Sequence, residues 1–514
     1  MKRWVCLTLL VTCALLQAPA QAAPEAIPDR IERLEKELQT LQRELEEQKK
    51  QAAREKEEAK KVEVAKAEEK YPGAPRVTIG GYGSIRFEEQ GLEEFNNSFI
   101  FRRFVLTADA SVTDRLSAYF ELEFERFTEL ELERKISQSE GGLKVVQAVE
   151  GSNESEISME QAWLQYDIAP WLKLRAGAVL VPLGRFNINH DDNRWDLPRR
   201  SLVDRGVPVL PAKSAWPELG AGFLGEVPVG REGIFTYELY AVNGVALDAE
   251  VEEVIQTRDP KRDKLEVEVE FRPTRGPFDK DLNEGKSFAG RIAYSPSIGN
   301  EVGLSGYYGE YTPEFLKEQT VWSAALDGKW TLGPFELEGE YVFTRWNGVK
   351  RAARDFARVA RDSAVEIKKA DSPDLEVEIE FELENLADVK HGYWIDLRHR
   401  FWPRFLDDTF LGRGFDNPQL IATIRGEQVF FDDLIDEIKF KKQVLTTFET
   451  RDPTINRITL GLAYRPTPLW VFQLAYEFTF TDNERGLLGL TNFLPASEDD
   501  DKVHAFMAGI AFGF

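Results

Sequence analysis

Basic and aromatic side chains are concentrated in one polar segment, Pro182–Pro217, of a strongly acidic chain. The segment has six basic and four acidic residues, whereas the 514-residue chain has a formal net charge of −24 at pH 7. Its five prolines and two tryptophans make it stiff rather than flexible. Basic groups at a narrowing of an aqueous path attract anions and repel cations. The segment's candidate anion-contacting residues are Arg185, Arg194, Arg199, Arg200, Arg205 and Lys213.

Polar and apolar residues alternate in several segments, as they do in strands. Further arginines lie on the polar face of some of these segments, and glutamates lie on the polar face of others. A basic wall that faces an acidic wall would produce a transverse electric field across the lumen between them. Two alternatives remain open: a salt-bridged loop without a role in selectivity, and a polar lining without a net preference. The arginines of inward parity are Arg86, Arg103, Arg175, Arg291, Arg398, Arg400, Arg425, Arg457 and Arg465, of which we add Arg103 and Arg175 to the candidate anion path.

The sequence contains no familiar catalytic motif, neither a nucleophile elbow nor a P-loop nor a zinc-protease helix. The run His190-Asp191-Asp192 could bind a metal, but the pattern favours a polar loop tip. Both cysteines, Cys6 and Cys13, precede residue 23, so sulfur-ligated metals and disulfides are not expected beyond it. We therefore predict no enzyme activity, no metal and no cofactor, and the acidic charge argues against nucleic acid as a partner.

The segment Lys502–Phe514 indicates which elements position these side chains. Phe506, Ile510 and Phe512 alternate with small residues, so one face of a strand is bulky and apolar. That division suits a strand with lipid outside and a lumen inside. The terminal Phe514 resembles the signal that barrel-assembly machinery reads in bacterial outer-membrane proteins.

The same alternation recurs along the chain and predicts about sixteen strands. Short turns and long polar loops alternate between them, as periplasmic turns and extracellular loops do in outer-membrane barrels. Trp402–Pro418 is too long for a short turn, so it is either an excursion or an unrecognised strand pair that would give eighteen strands. The fold class is therefore all-β, a transmembrane antiparallel barrel. The strands start near Val77, Ser98, Arg115, Ile157, Trp171, Leu219, Ile234, Ser287, Glu301, Thr320, Pro334, Gly392, Gln419, Ile455, Leu469 and Lys502.

The N-terminal region has a different pattern. Residues 1–22 have the charged start, apolar core and small-residue cleavage site of a signal peptide. Residues 23–70 are expected to form a periplasmic α-helical coiled coil, with a solvated tether as the alternative, and 71–76 a linker before the barrel at 77–514. The heptad seam consists of Ile31, Leu34, Leu38, Leu41 and Leu45.

Three motifs resemble the phosphate-selective porin O and P family: Phe101–Phe104 with its paired arginines, Gln161–Tyr166, and Val181–Phe186. The similarity covers about Val77–Asn243. It implies a homotrimeric, sixteen-stranded outer-membrane channel for small anions, with the third long loop, Pro182–Pro217, folded into the lumen. No lysine cluster like that of phosphate-selective members is present, since Lys213 stands alone.

The leading functional hypothesis is a porin for passive diffusion of small hydrophilic solutes, with a preference for anions and phosphate as one candidate. Its expected surroundings are outer-membrane lipid, and its N-terminal segment would be periplasmic. One alternative is a cation-preferring general porin. Another is a structural protein that tethers the outer membrane to peptidoglycan through the coiled coil.

Overall fold

The computed structural model describes residues 75–91, 97–125, 130–139, 142–151, 156–206, 209–259, 262–274, 276, 281, 283–359, 376–383, 386–441, 444–481 and 501–514. The predicted signal peptide, coiled coil and linker lie outside these residues, apart from the last two linker positions. No helix among the described residues is long and apolar enough to cross a membrane.

Strands dominate the described residues. In chain order they are β1 Arg76–Gln90, β2 Ser98–Ser111, β3 Leu116–Glu125, β4 Leu130–Ser139, β5 Gly142–Gly151, β6 Glu156–Ala169, β7 Leu172–Leu180, β8 Pro217–Val229, β9 Gly233–Val242, β10 Ala246–Asp259, β11 Arg262–Thr274, β12 Ser287–Ser297, β13 Asn300–Glu310, β14 Thr320–Leu332, β15 Phe335–Trp346, β16 Glu376–Leu383, β17 Ala387–Phe401, β18 Gln419–Lys441, β19 Val444–Arg451, β20 Thr454–Thr467, β21 Trp470–Thr481 and β22 Lys502–Gly513.

Sixteen of these strands form one closed antiparallel barrel, which confirms the predicted fold class and strand number. Each pairs with its neighbour along the chain, and β22 returns to pair with β1 from Tyr82↔Gly513 to Gln90↔Ala505. Phe514 extends this closure, because its N–H donates to Gly81 O at 3.1 Å and its oxygen accepts from Gly81 N–H at 3.2 Å. The barrel strands are β1–β3, β6–β9, β12–β15, β17, β18 and β20–β22.

Side chains divide between the two faces of the wall as the alternation predicts. On β15, Glu336 and Glu338 are buried inside the barrel, whereas Leu337 between them is 51% exposed on the outside. On β22, Met507 points inward and is fully buried, and Ile510 points outward. The inner face carries the charges and the outer face is apolar, which is the reverse of a water-soluble protein.

The long loops contain strands that were not predicted from the sequence. The loop after β3 contains the hairpin β4–β5, and the loop after β9 contains β10 and β11, which form a small sheet with β16. Strand β18 continues beyond the barrel and pairs there with β19. These loops were predicted to be polar connections on account of their many glutamates, although β11 and β16 alternate apolar residues with glutamates much as the barrel strands do. Residues 349–359, in the loop after β15, are helical.

The segment 402–418 is an excursion and not a missed strand pair, which leaves sixteen strands. It contains a short 3₁₀ helix, Arg404–Leu406, followed by turns. Its Phe410, Leu411 and Phe415 line an apolar hollow together with the outward-facing Tyr464 and Phe472. The segment therefore lies over the outer surface of β20 and β21. The other short connections join β2–β3, β6–β7, β8–β9, β12–β13, β14–β15 and β20–β21 at the same end of the barrel, here called the short-turn end.

Candidate pore constriction

The third loop, Pro182–Pro217, folds into the barrel between β7 and β8. It contains one turn of helix, α1 (Arg185–Ile188), a 3₁₀ turn at Asp192–Arg194 and a π-type turn at Leu202–Gly206. Most of its described apolar side chains are buried, with Leu183, Leu202 and Val203 fully inaccessible. A surface loop would leave such side chains in water, so their burial shows that the loop fills part of the lumen.

An aromatic stack fixes the middle of the third loop against the wall. The rings of Phe186 and Trp195 stack with centroids 3.9 Å apart and planes 3° apart. Both meet the ring of Trp394 on β17 edge-on, with centroids 5.7 and 5.5 Å away. The guanidinium of Arg425 on β18 lies 5.2 Å from the Trp394 ring centroid, within the range of a cation–π contact.

Arginines of the wall donate hydrogen bonds to backbone carbonyls of the third loop. Arg86 donates to Pro198 O at 2.8 Å. Because an irregular loop cannot pair its own carbonyls, buried ones need donors from elsewhere. Further arginine donations are from Arg425 to Arg199 O at 3.3 Å, Arg457 to Arg200 O at 2.5 Å, and Arg465 to Asn193 O at 2.9 Å and to Trp195 O at 3.0 Å; Gln473 also donates, to Trp195 O at 2.8 Å and to Leu197 O at 3.2 Å.

Two predicted anion-contacting arginines bind wall carboxylates. Arg185 donates to Glu338 at 2.5 Å and to Glu301 at 2.8 Å. Arg199 lies between β1 and β21 and donates to Glu88 at 3.0 Å and Glu477 at 2.5 Å. The charge of both arginines is therefore compensated within the fold, and their side chains are largely inaccessible to solvent.

Asp196 is the acidic counterpart of these anchors. Its carboxylate accepts from Arg465 at 2.7 Å and lies 3.5 Å from Arg398 and 3.9 Å from Arg400. Burial alone would raise the pKa of Asp196, but the three arginines lower it below the usual value of 3.8. Asp196 is therefore an ionised anchor at neutral pH.

The other predicted site residues have diverse surroundings. Arg200 donates to His190 O at 2.7 Å and to Ser214 O at 3.2 Å. Arg103 on β2 is fully buried and lies 2.8 Å from Glu123. Arg175 on β7 donates to Gln165 at 2.7 Å and lies 4.0 Å above the Trp163 ring. The remaining members are Arg194 and Lys213, which are exposed, and Arg205, whose side chain lies outside the described residues.

A cavity of about 850 Å³, here called the vestibule, lies at the short-turn end of the barrel. The turn Pro466–Leu469 and the start of β1 form its rim, and Asp191, Asn193 and Arg194 of the third loop line its inner part. Its charged lining is mixed: Arg194, Arg400 and Arg465 face Glu121, Asp191 and Asp416. The sequence predicted that Arg400 and Arg465 lie on the inner face of the barrel. It did not predict that they lie beside the third loop in the vestibule.

His190 was predicted to lie at a polar loop tip. In the structure it is buried, with 2% of its surface exposed. Its Nδ1 lies 2.9 Å from Asn187 O and its Nε2 lies 3.1 Å from a carboxylate oxygen of Glu160 on β6. Burial would lower the pKa of His190, but the carboxylates of Glu160 and Asp191 raise it to about 9. The loop turns inward here because the wall supplies these partners.

Comparisons with known proteins give distant likenesses. No protein-family model matches, so membership in the phosphate-selective porin family is not established. An uncharacterized protein of Aquifex aeolicus (strain VF5) is 26% identical over 242 residues, which are 47% of this chain and 46% of that protein. The alignment therefore spans less than half of that relative.

The similar solved structures include an anion-selective porin from Comamonas acidovorans, with a TM-score of 0.47 and 11% identity over 86% of this chain and all of that one. Salmonella typhi OmpF in complex with daunomycin has a TM-score of 0.45 and 10% identity over 86% of this chain and 99% of that one. The trimer form of Vibrio cholerae OmpT has a TM-score of 0.42, with 11% identity over 86% of this chain and 100% of that one. With TM-scores below 0.5, none of these likenesses assigns a solute or an assembly to this chain.

Proposed function

We propose that this chain is an outer-membrane channel for the passive diffusion of small hydrophilic solutes. The observation that carries the proposal is the third loop folded across the inside of a closed barrel, next to an open vestibule. A loop in that position narrows the lumen without closing the wall, and it restricts passage by size and charge.

The two faces of the wall support a membrane location. Leu397, Ile424, Leu460 and Leu474 lie on the outer face with about half of their surface exposed, at 48%, 53%, 51% and 48%. Lipid would cover such side chains, and ring closure leaves no strand edge unpaired in a medium that cannot supply hydrogen bonds.

The vestibule has the dimensions and polarity for a small hydrated solute. Its volume of about 850 Å³ is far larger than the roughly 10–15 Å³ that a cavity needs to hold one water molecule. Tyrosine hydroxyls, carboxylates and guanidinium groups line it, so a polar solute can exchange its hydration shell for contacts with the wall. A large apolar compound would find few partners there.

We further propose a preference for anions that comes from the vestibule. Arg185 and Arg199 are enclosed with buried carboxylates, whereas Arg194, 2.8 Å from Asp191, and Arg400, 3.4 Å from Glu336, still line the vestibule with 56% and 30% of their side chains exposed. Guanidinium groups bind oxyanions with two parallel hydrogen bonds. Phosphate is the first oxyanion to test, in view of the resemblance at Val181–Phe186.

Planar-bilayer recording under a salt gradient tests both parts of this proposal. The wild-type protein should give stepwise conductance with a reversal potential that favours chloride, and added phosphate should reduce the chloride current. The Arg194→Gln/Arg400→Gln double variant should shift the reversal potential toward cations. Arg115→Gln is the matched control, because Arg115 is exposed at the same end and does not line the vestibule. An unchanged potential in the double variant contradicts the anion part alone.

A structural role is the second candidate, and the number of contacts that hold the third loop favours it. If the loop never leaves space for a solute, a correctly folded barrel will show no conductance steps. Deletion of residues 23–70 would then weaken the attachment of the outer membrane to peptidoglycan. A channel would keep its conductance after the same deletion.

A further inference from the structure

Three potential metal ligands meet where the third loop touches strand β3. Glu121, His190 and Asp191 each offer one ligand atom, and these atoms all lie within 4.8 Å of one another. His190 Nε2 is 3.8 Å from an oxygen of Asp191. Ligands of one transition-metal ion lie about 2.0–2.2 Å from it, so only a small contraction would bring these atoms onto a common centre.

The orientation of the His190 ring suits a metal ligand. A carbonyl oxygen can only accept, so Nδ1, at 2.9 Å from Asn187 O, carries the hydrogen of this contact. Nε2 lies 3.1 Å from the Glu160 carboxylate and 3.8 Å from that of Asp191, and it would release its proton from the Glu160 contact when a metal ion binds. Imidazoles that bind metals commonly donate their other N–H to a backbone carbonyl, which fixes the ring and its tautomer.

Tyr82 provides an independent observation that points to a missing partner. Its side chain on β1 is 4% exposed, and its hydroxyl has no hydrogen-bond partner among the described residues. It lines the vestibule together with Glu121 and Asp191, and Glu160 and Asp191 interact with it electrostatically. A buried hydroxyl without a partner is costly, whereas a metal ion or a metal-bound water would satisfy it.

From this geometry we infer a binding site for a transition-metal dication, formed by Glu121, His190 and Asp191 with Tyr82 beside it. One imidazole nitrogen and two carboxylates favour zinc or a similar ion over calcium or magnesium, which prefer oxygen ligands alone. The neighbouring cation, Arg103, is already paired with another carboxylate, that of Glu123, at 2.8 Å. The ion would reach the site from solvent through the vestibule.

Calorimetric titration with ZnCl₂ tests the site on the full-length protein, purified in detergent and first treated with a chelator. The wild type should bind one ion per chain, and Glu121→Gln and His190→Asn should each weaken binding at least tenfold. His391→Asn is the matched control, because His391 lies on the outward face of β17, and it should bind as the wild type does. Absorption bands of bound Co²⁺ should appear in the wild type and the control but not in His190→Asn.

Equal zinc affinity in the wild type, Glu121→Gln and His190→Asn overturns the inference and leaves adventitious surface binding only. If His190→Asn does not fold, Asp191→Asn replaces it, because Asp191 is only partly buried and should tolerate the change. Wild-type affinity in a folded Asp191→Asn variant likewise contradicts the site. These binding measurements do not depend on whether the barrel conducts ions.

Discussion

The middle of the third loop, residues 189–204, has two halves that contain the same residue types in different surroundings. Residues 195–204 form a clamped half, and residues 189–194 form a vestibule half. The side chain of Arg199 in the clamped half is 2% exposed between Glu88 and Glu477, whereas that of Arg194 in the vestibule half is 56% exposed beside Asp191. The comparison shows that the wall opposite an arginine decides whether it holds the loop or faces the solute.

The largest expected effect is that of Arg199→Gln in the clamped half. The change leaves Glu88 and Glu477 buried without their cation, and the loss of one partner of a buried pair costs roughly 3–5 kcal/mol. Unfolding in urea should show a loss of that size, and Arg194→Gln serves as the matched control from the vestibule half. Similar stability in the two variants would remove the distinction between the halves.

Gly184→Ala tests how tightly the loop enters the lumen and should have the second largest effect. Gly184 has φ 77° and ψ 147°, and an added Cβ would lie 2.5 Å from a carboxylate oxygen of Glu340. Such a backbone conformation is nearly restricted to glycine, so the variant should lose roughly 1–3 kcal/mol of unfolding free energy. Gly426→Ala on β18, where nothing lies within 4 Å of an added Cβ, is the control. If Gly184→Ala loses no more unfolding free energy than Gly426→Ala, the third loop is not tightly packed where it enters the lumen.

The anchor at Asp196 should depend on pH. Because its pKa is lowered by Arg465, Arg398 and Arg400, the ionised carboxylate stabilises the fold above its usual pKa of 3.8. That contribution is lost as the pH falls through the lowered folded-state value. The wild type should therefore be more stable than Asp196→Asn at pH 7, and urea titrations at decreasing pH should show the difference shrinking below pH 3.8. A difference that is constant down to pH 2 would show that charge is not what holds Asp196.

Arg194→Gln should have the smallest effect on stability, within about 0.5 kcal/mol, because an exposed ion pair contributes little. Its effect should appear in ion selectivity instead, as a shift of the reversal potential toward cations. A large loss of stability without any change in selectivity would place Arg194 with the clamped residues and not with the vestibule.

The barrel itself was predictable from sequence, because the bilayer and the lumen impose opposite demands on alternate residues. All sixteen predicted strands lie in the barrel, and most begin within two residues of the predicted start, although Gly392 was predicted for a strand that begins at Ala387. The hairpins β4–β5 and β10–β11 were missed because the long connections that contain them were interpreted as polar outer loops, although β11 alternates apolar residues with glutamates as a barrel strand does. Trp402–Pro418 remained ambiguous because its aromatic residues cover the outside of the barrel instead of alternating.

The interior of the site was less predictable. Spacing placed Arg425, Arg457 and Arg465 on the inner face, but it could not show that they donate to loop carbonyls at residues 193–200. Those contacts depend on the path of an irregular backbone, for which the sequence contains no periodic signal. The proximity of Glu121 on β3 to His190 was hidden for the same reason, since the two are far apart in the chain.

The most direct test of the central claim is the single-channel conductance of the folded wild type and of Arg199→Gln under the same salt conditions. If the clamped third loop narrows a real channel, the wild type should show small, regular steps. Arg199→Gln should then show larger steps because its loop is released, and Arg194→Gln should keep the wild-type step size. Absence of steps in the wild type, or identical steps in Arg199→Gln, would contradict a channel whose passage is set by the clamped loop.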